Sequence, residues 1–342
     1  MDIPGYSIDF EKIVKTIKKE KCKKVVLQLP EGLKTYASRI VEFLENNTKA
    51  NIILLAEPCF GACDIPNYKL KNLDVDLVIQ IGHVSIPELE NLFIATLFVN
   101  AKSKIDVSKA VKKALPSLKE KGKNIGLVST SQHIHTFEKV EKILDENSFQ
   151  TFVGKGDSRI FLRGQILGCN FSAALSIVKK VDVFLYIGSG NFHPLGLLLS
   201  TKKPVIAIDP YTNEIKEKNL EELKDLILRQ RYGAIASSKD AKKFGILIGI
   251  KPGQQRLDLA YKIKEMLDSK NKKSYIITVD NFSYSILEGF QDIDCFISTA
   301  CPRIAIDDYL QYKKPIITHV ELEILIGKRK WEEYQLDEII VN

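Results

Sequence analysis

The sequence predicts an α/β protein of three similar domains, each a small four-stranded parallel, doubly wound sheet, arranged around one central site. Three observations point there. Strand-like apolar runs preceded by lysines recur at Val25–Leu29, Ile125–Ser129 and Phe244–Ile250. Later in each third, an aspartate leads a second short apolar run, at Asp76–Ile81, Asp182–Ile187 and Asp294–Ser298. Equivalent points lie roughly a hundred to a hundred and twenty residues apart, the period of a domain and not of a solenoid unit. These runs are continuous and alternate with amphipathic helical patterns, as parallel strands covered on both faces do. The domains are therefore expected at residues 1–102, 103–214 and 215–342.

The elements follow in order. Behind a possible cap at Asp9, Phe10, Ile13, Val14 and Ile17 fall at helical spacing. Strand Val25–Leu29 leads to a helix carrying Tyr36, Ile40, Phe43 and Leu44, then to strands at Ile52–Ala56, Leu77–Ile81 and Leu97–Val99. In the second copy, Ile125–Ser129 precedes a helix with Phe137, Val140, Ile143 and Leu144 and a strand near Thr151–Gly154. A helix with Phe171, Ala174, Ile177 and Val178 then leads to strands Val183–Ile187 and Val205–Ile208. The third copy runs Phe244–Ile250, a helix with Leu259, Ile263, Met266 and Leu267, then Ser274–Val279, Phe296–Ser298 and Pro315–His319.

Composition bounds the function. With 342 residues, 45% of them hydrophobic, the chain can bury several cores. A net charge of +7 permits an acidic partner, but the lysines are dispersed through KTIKKEKCKK, KEKGKNIG and SKNKKS. Dispersed lysines read as solvated surface, so no direct nucleic-acid contact is expected. The Lys, Glu and Ile richness with two Met points to a warm-growing archaeon or bacterium. MDIPGYSIDFEKIV carries neither a basic n-region nor an apolar core, and no apolar run approaches a membrane span. A cytoplasmic protein is expected.

Six cysteines at irregular spacing do not resemble a disulfide framework. In open α/β sheets, ligands bind beyond the carboxyl ends of strands, and the unusual residues cluster there. EPCFGACD brings Cys59 and Cys63, GQILGCN brings Cys169 and ACPR brings Cys301, one such loop in each domain. Polar loops STSQHIH (129–135) and GSGNFHP (188–194) follow two more strands. Cys295, inside an apolar strand, reads as packing, and Cys22, after a lysine-rich helix end, as incidental. Three thiolates could hold zinc with a histidine, or a 4Fe–4S cluster with one iron left open. Cys59 and Cys63 begin a radical-enzyme triplet that Pro66 leaves incomplete, so any cluster must be built from cysteines far apart in sequence.

The stretches QLPEGL (28–33), FGACD (60–64), SQHIH (131–135), GDSRI (156–160), GQILGCN (164–170), GSGNFHPLGL (188–197), IDPYT (208–212) and ACPRIAIDDY (300–309) resemble the archaeal diphthamide synthases, in register across the chain. That resemblance implies a homodimeric, noncanonical radical S-adenosylmethionine enzyme with three similar domains, each giving one cysteine to a 4Fe–4S cluster. By motif those ligands are Cys63, Cys169 and Cys301. Cys59 lies where the family motif needs no cysteine, and could replace Cys63 or pack beside it. The resemblance further implies cleavage of S-adenosylmethionine on the methionine γ-carbon side. The 3-amino-3-carboxypropyl group then joins C2 of a histidine in translation elongation factor 2, an electron donor of unstated identity supplying the electron. Gly188, Gly190, His193, Gln132 and His133 are expected to line the cosubstrate pocket, while Asp157 and Arg159 read as an ion pair. Two alternatives stand beside this: a quinolinate-synthase-like 4Fe–4S enzyme, and a non-catalytic cluster-bearing partner subunit.

Overall fold

The computed structural model describes every residue except Asn67, Glu88, Glu90, Asn91, Asp307, Asp308 and Asn342, so two aspartates of ACPRIAIDDY lie outside the described residues. The first third contributes β1 (Tyr6–Ile8), β2 (Lys24–Gln28), β3 (Asn51–Leu54), β4 (Leu77–Ile81), β5 (Thr96–Val99) and β6 (Ala101–Ser103). The middle contributes β7 (Asn124–Ser129), β8 (Gln150–Phe152), β9 (Val183–Ile187), β10 (Val205–Asp209) and β11 (Glu214–Ile215). The last adds β12 (Lys243–Gly249), β13 (Lys273–Val279), β14 (Cys295–Ser298) and β15 (Ile316–Thr318).

Three parallel sheets result, ordered β3-β2-β4-β5, β8-β7-β9-β10 and β13-β12-β14-β15. In each, the second strand lies outside the first and the third lies on the first strand's other side. This is a doubly wound order with its switch point between first and third strands, where ligands are received. The repetition extends to single atoms. The aspartate opening each third strand turns back and accepts the backbone N–H groups that open the first. Asp76 takes those of Lys23 (2.6 Å) and Lys24 (2.8 Å). Asp182 takes those of Lys123 and Asn124, and Asp294 those of Lys242 and Lys243. These backbone donors hold all three carboxyls below their usual range.

The apolar spacing translates into burial. Asp9 caps the helix Phe10–Lys19 through the Lys12 N–H (2.9 Å), and Phe10, Ile13 and Ile17 are buried on its inner face. Strands β4, β9 and β14 are buried throughout, covered on both faces. Several features differ from the sequence reading, which placed no helix over Ser108–Lys121, Phe192–Thr201 or Lys218–Ser237. An antiparallel ribbon pairs β1 with β6, and β11 adds a fifth, antiparallel strand to the middle sheet. Strands of two or three residues are too short for any periodic signal. The helix expected around Phe171–Val178 shortens to Ser172–Leu175, its remainder continuing as turns.

Candidate metal centre

The loop after β3 holds Cys59 and Cys63, and two glutamines position it. Gln28 at the end of β2 and Gln80 next to the end of β4 face each other across the parallel pair and are buried. The Gln80 amide donates to Gln28 Oε1 (2.8 Å), and the Gln28 amide donates to the Asp64 carbonyl (2.8 Å). A chain of side-chain hydrogen bonds thus fixes the backbone beside Cys63, with the Gln80 Oε1 left buried and unpartnered. From the third domain, the Lys251 ammonium meets the Asp64 carboxylate at 2.8 Å in a buried pair, over the face of Phe60.

The loop bearing Cys169 is built around Asn170, which is wholly buried. Its amide donates to the Asp157 carboxylate (2.8 Å) and the Ile339 carbonyl (3.0 Å), while its oxygen receives the Ser172 N–H and hydroxyl. The C-terminal segment closes over the same loop, with the Ile339 N–H donating to the Cys169 carbonyl (2.7 Å). Asp157 also accepts the backbone N–H groups of Arg159 and Val341, and the Arg159 guanidinium reaches the Gly253 carbonyl at 2.9 Å.

Cys301 follows β14, ahead of Pro302 and the helix Arg303–Ile306. Arg256 secures the strand end, donating to the Thr299 (2.6 Å) and Ala300 (2.9 Å) carbonyls. Its guanidinium is held in turn by both oxygens of buried Asp337, at 2.8 and 2.7 Å. Burial alone would raise the Asp337 carboxyl, but Arg256 and His319 outweigh it and hold it below the usual range.

The three loops converge. Burial pushes the Cys169 thiol up, and Cys301 and then Cys63 add to the rise, so all three sulfurs share one neighbourhood. Burial likewise raises Cys63, against the pull of the Gln254 amide and the Arg159 and Lys251 charges. Each of the three stays partly reachable by solvent, and none of the six cysteines is in a disulfide. Among the described residues no three Cys, His, Asp or Glu side chains crowd closely enough to grip a single metal ion. Cys59 is different in kind: it is buried, pushed up to about 12, and lies 3.8 Å from His83 Nδ1. Cys22 and Cys295 are buried elsewhere, Cys295 against the Ser238 hydroxyl at 3.2 Å.

Of the expected cosubstrate residues, His193 follows Phe192, which packs on Gly168 beside Cys169. Gly188 and Gly190 take positive φ (153° and 76°), and a Cβ at Gly188 would stand 2.7 Å from the Tyr186 hydroxyl. Phe192 leaves Gly168, beside Cys169, no room for a Cβ, and carries Arg303 over its ring at 4.2 Å. His193 stacks parallel to Tyr186, and burial pushes its pKa down to about 4. Gln132 and His133 sit at the junction with β6: the Gln132 carbonyl accepts the Ser103 N–H, and the buried His133 ring meets Tyr211 edge-on. Sequence reasoning missed Gln28, Gln80, Asp337 and the loop Lys251–Arg256. The available signals were glutamines inside apolar strands, and a Lys-Pro-Gly turn at the carboxyl end of β12.

The chain matches the diphthamide synthesis protein family over residues 29–335. It is 38% identical to the 2-(3-amino-3-carboxypropyl)histidine synthase of Pyrococcus horikoshii, covering 98% of this chain and 94% of that one. With the synthase of the same name from Methanocaldococcus jannaschii it shares 31% identity over 98% and 93%. The crystal structure of Dph2 from Pyrococcus horikoshii with a 4Fe–4S cluster superposes with TM-score 0.88 at 37% identity, covering 98% of this chain and 94% of that one. The chain belongs to the diphthamide synthesis protein family.

Proposed function

We propose that this enzyme transfers the 3-amino-3-carboxypropyl group of S-adenosylmethionine to C2 of a histidine in translation elongation factor 2. The observation that carries this reading is the meeting of three thiols, one from each sheet, among Arg159, Lys251 and Arg256. Cys63, Cys169 and Cys301 are the proposed ligands of a 4Fe–4S cluster, in domains with the boundaries expected from the sequence. The donor set fits that group. Each thiol must lose a proton to bind iron, and the surrounding cations offset the negative charge that develops. A three-cysteine cluster supplies, when bound, one electron and one iron without a protein ligand. That its relatives are named as synthases of 2-(3-amino-3-carboxypropyl)histidine supports the same reaction.

The chain's own part is positioning and exclusion of water. Gly188 and Gly190 let backbone approach the cosubstrate closely, and neutral His193, stacked on Tyr186, offers a ring nitrogen beside Phe192. Gln132 and His133 would border the pocket from the β6 side, where His133 Nδ1 is buried without a hydrogen-bond partner. Cys59 packs behind the ligand loop against His83 and takes no iron. The enzyme works as a cytoplasmic homodimer fed by a separate electron donor; among the described residues no helix is long and apolar enough to cross a membrane.

The test is anaerobic turnover of reconstituted protein with dithionite and S-adenosylmethionine, read by mass spectrometry. Methylthioadenosine, with elongation factor 2 gaining an aminocarboxypropyl group on histidine, is the expected result. Predominant 5′-deoxyadenosine would refute the transfer. A cluster-loaded protein that cleaves nothing would favour the quinolinate-type or partner-subunit alternatives.

A further inference from the structure

We propose that Gln254 sets the reduction potential of the cluster by donating an N–H to the Cys63 sulfur, an inference that rests on Cys63 being a ligand. Gln254 Nε2 lies 3.4 Å from Cys63 Sγ, and the side chain is only 7% exposed. The amide is held in place by contacts to the other two domains. Its own backbone N–H donates to the Lys251 carbonyl (2.9 Å), and the neighbouring Gly253 N–H donates to the Cys63 carbonyl (3.3 Å). Arg159 of the middle domain grips the Gly253 carbonyl, and Lys251 is locked to Asp64. Gly253 is packed so closely that a Cβ there would stand 2.4 Å from the Cys63 Cβ. The third domain therefore presents one neutral donor, on a braced loop, to a sulfur of the first.

The chemistry follows from the donor's type. An N–H···S bond draws electron density from a thiolate, and it strengthens when the group it faces gains an electron. Hydrogen bonds to the sulfurs are among the protein's means of setting such potentials. A neutral amide does this without adding a charge that would alter the entry of a cationic sulfonium. Placed at Cys63, it eases acceptance of the single electron that sulfonium cleavage needs.

The experiment is a mediated redox titration, followed by electron paramagnetic resonance, on reconstituted full-length protein with no S-adenosylmethionine present. The reaction read is one electron passing from dithionite-poised mediators to the cluster, with no bond to the protein made or broken. Gln254→Leu and Gln254→Met remove the donor at similar bulk, and Gln255→Leu changes its exposed neighbour. In both Gln254 variants the reduction equilibrium should fall about three- to tenfold, tenfold being about 59 mV for one electron. Iron content should hold, and Gln255→Leu should titrate like the parent. An unshifted midpoint in either iron-replete Gln254 variant overturns the proposal, as does loss of iron from both, which would make the amide a packing group. Cys63→Ala separates the underlying reading. If it keeps four irons, the ligand assignment fails; if it loses them while the Gln254 variants titrate normally, only the role of Gln254 fails.

Discussion

Replacing Arg256 by methionine removes four contacts at once: the donations to the Thr299 and Ala300 carbonyls and the two-pronged grip on Asp337. Methionine fills much of the space, so the cost is chiefly electrostatic. Asp337 is 2% exposed and keeps the His319 ring nitrogen, at 3.2 Å, beside it. Removing one partner of a buried pair costs about 3–5 kcal/mol, because the other is left uncompensated. An unfolding entropy of roughly 2.1 cal/mol/K per residue, taken over the chain, converts this to a melting-point drop of about 4–7 °C. Arg256→Lys keeps the charge but loses the fork, and should fall between. The assay is far-UV circular dichroism melting of the metal-free chains, with iron counted after reconstitution. Iron should drop in Arg256→Met, since the strand end that presents Cys301 is no longer tied. A melt within a degree of the parent, with full iron, would refute the reasoning.

Further outcomes are expected. Gly253→Ala forces a methyl into the Cys63 Cβ at 2.4 Å, and should lower iron occupancy severalfold with an unchanged circular dichroism spectrum. Arg231, paired with Glu321 at 2.6 Å with both side chains wholly buried, also donates to the Ala305 and Ile316 carbonyls. Arg231→Ala should destabilise by about 3–5 kcal/mol, read as soluble yield and melting temperature. The depressed carboxyls of Asp76, Asp182 and Asp294 contribute stability above the unfolded value near 3.9, and lose it as pH falls through their folded values. Each is largely solvated, so each aspartate→asparagine change should cost at most about 1 kcal/mol at neutral pH and flatten the acid limb of the stability curve. Cys59→Ala should keep a full cluster and turnover; if it loses both while Cys63→Ala keeps them, the two roles must be exchanged.

Much of this fold was legible because its central strands are buried on both faces. KVVLQ, LVIQI and VFLYI need no partner to declare themselves as central strands. Doubly wound sheets receive ligands at strand carboxyl ends, which drew attention to the loops of Cys59 and Cys63, of Cys169 and of Cys301, against Cys295 inside a strand. The choice of Cys63 over Cys59 came from the family motif. What stayed hidden acts between domains. Lys251 meets Asp64 across 187 residues, and the Ile339 N–H reaches Cys169 from the far end of the chain. Such contacts leave no periodic trace. Gln28 and Gln80 were in view inside the expected strands, but only their pairing across β2 and β4 shows that they brace the Cys63 loop.

The most direct test uses a chain in which Cys22, Cys59 and Cys295 are all replaced by alanine, leaving one cysteine from each sheet. Iron and sulfide are counted per folded chain after anaerobic reconstitution, beside the unaltered protein. Four irons and four sulfides per chain, with methylthioadenosine still formed, is the result that three convergent thiols require. A folded triple variant with fewer irons would contradict it, because one of the removed cysteines would then be a ligand.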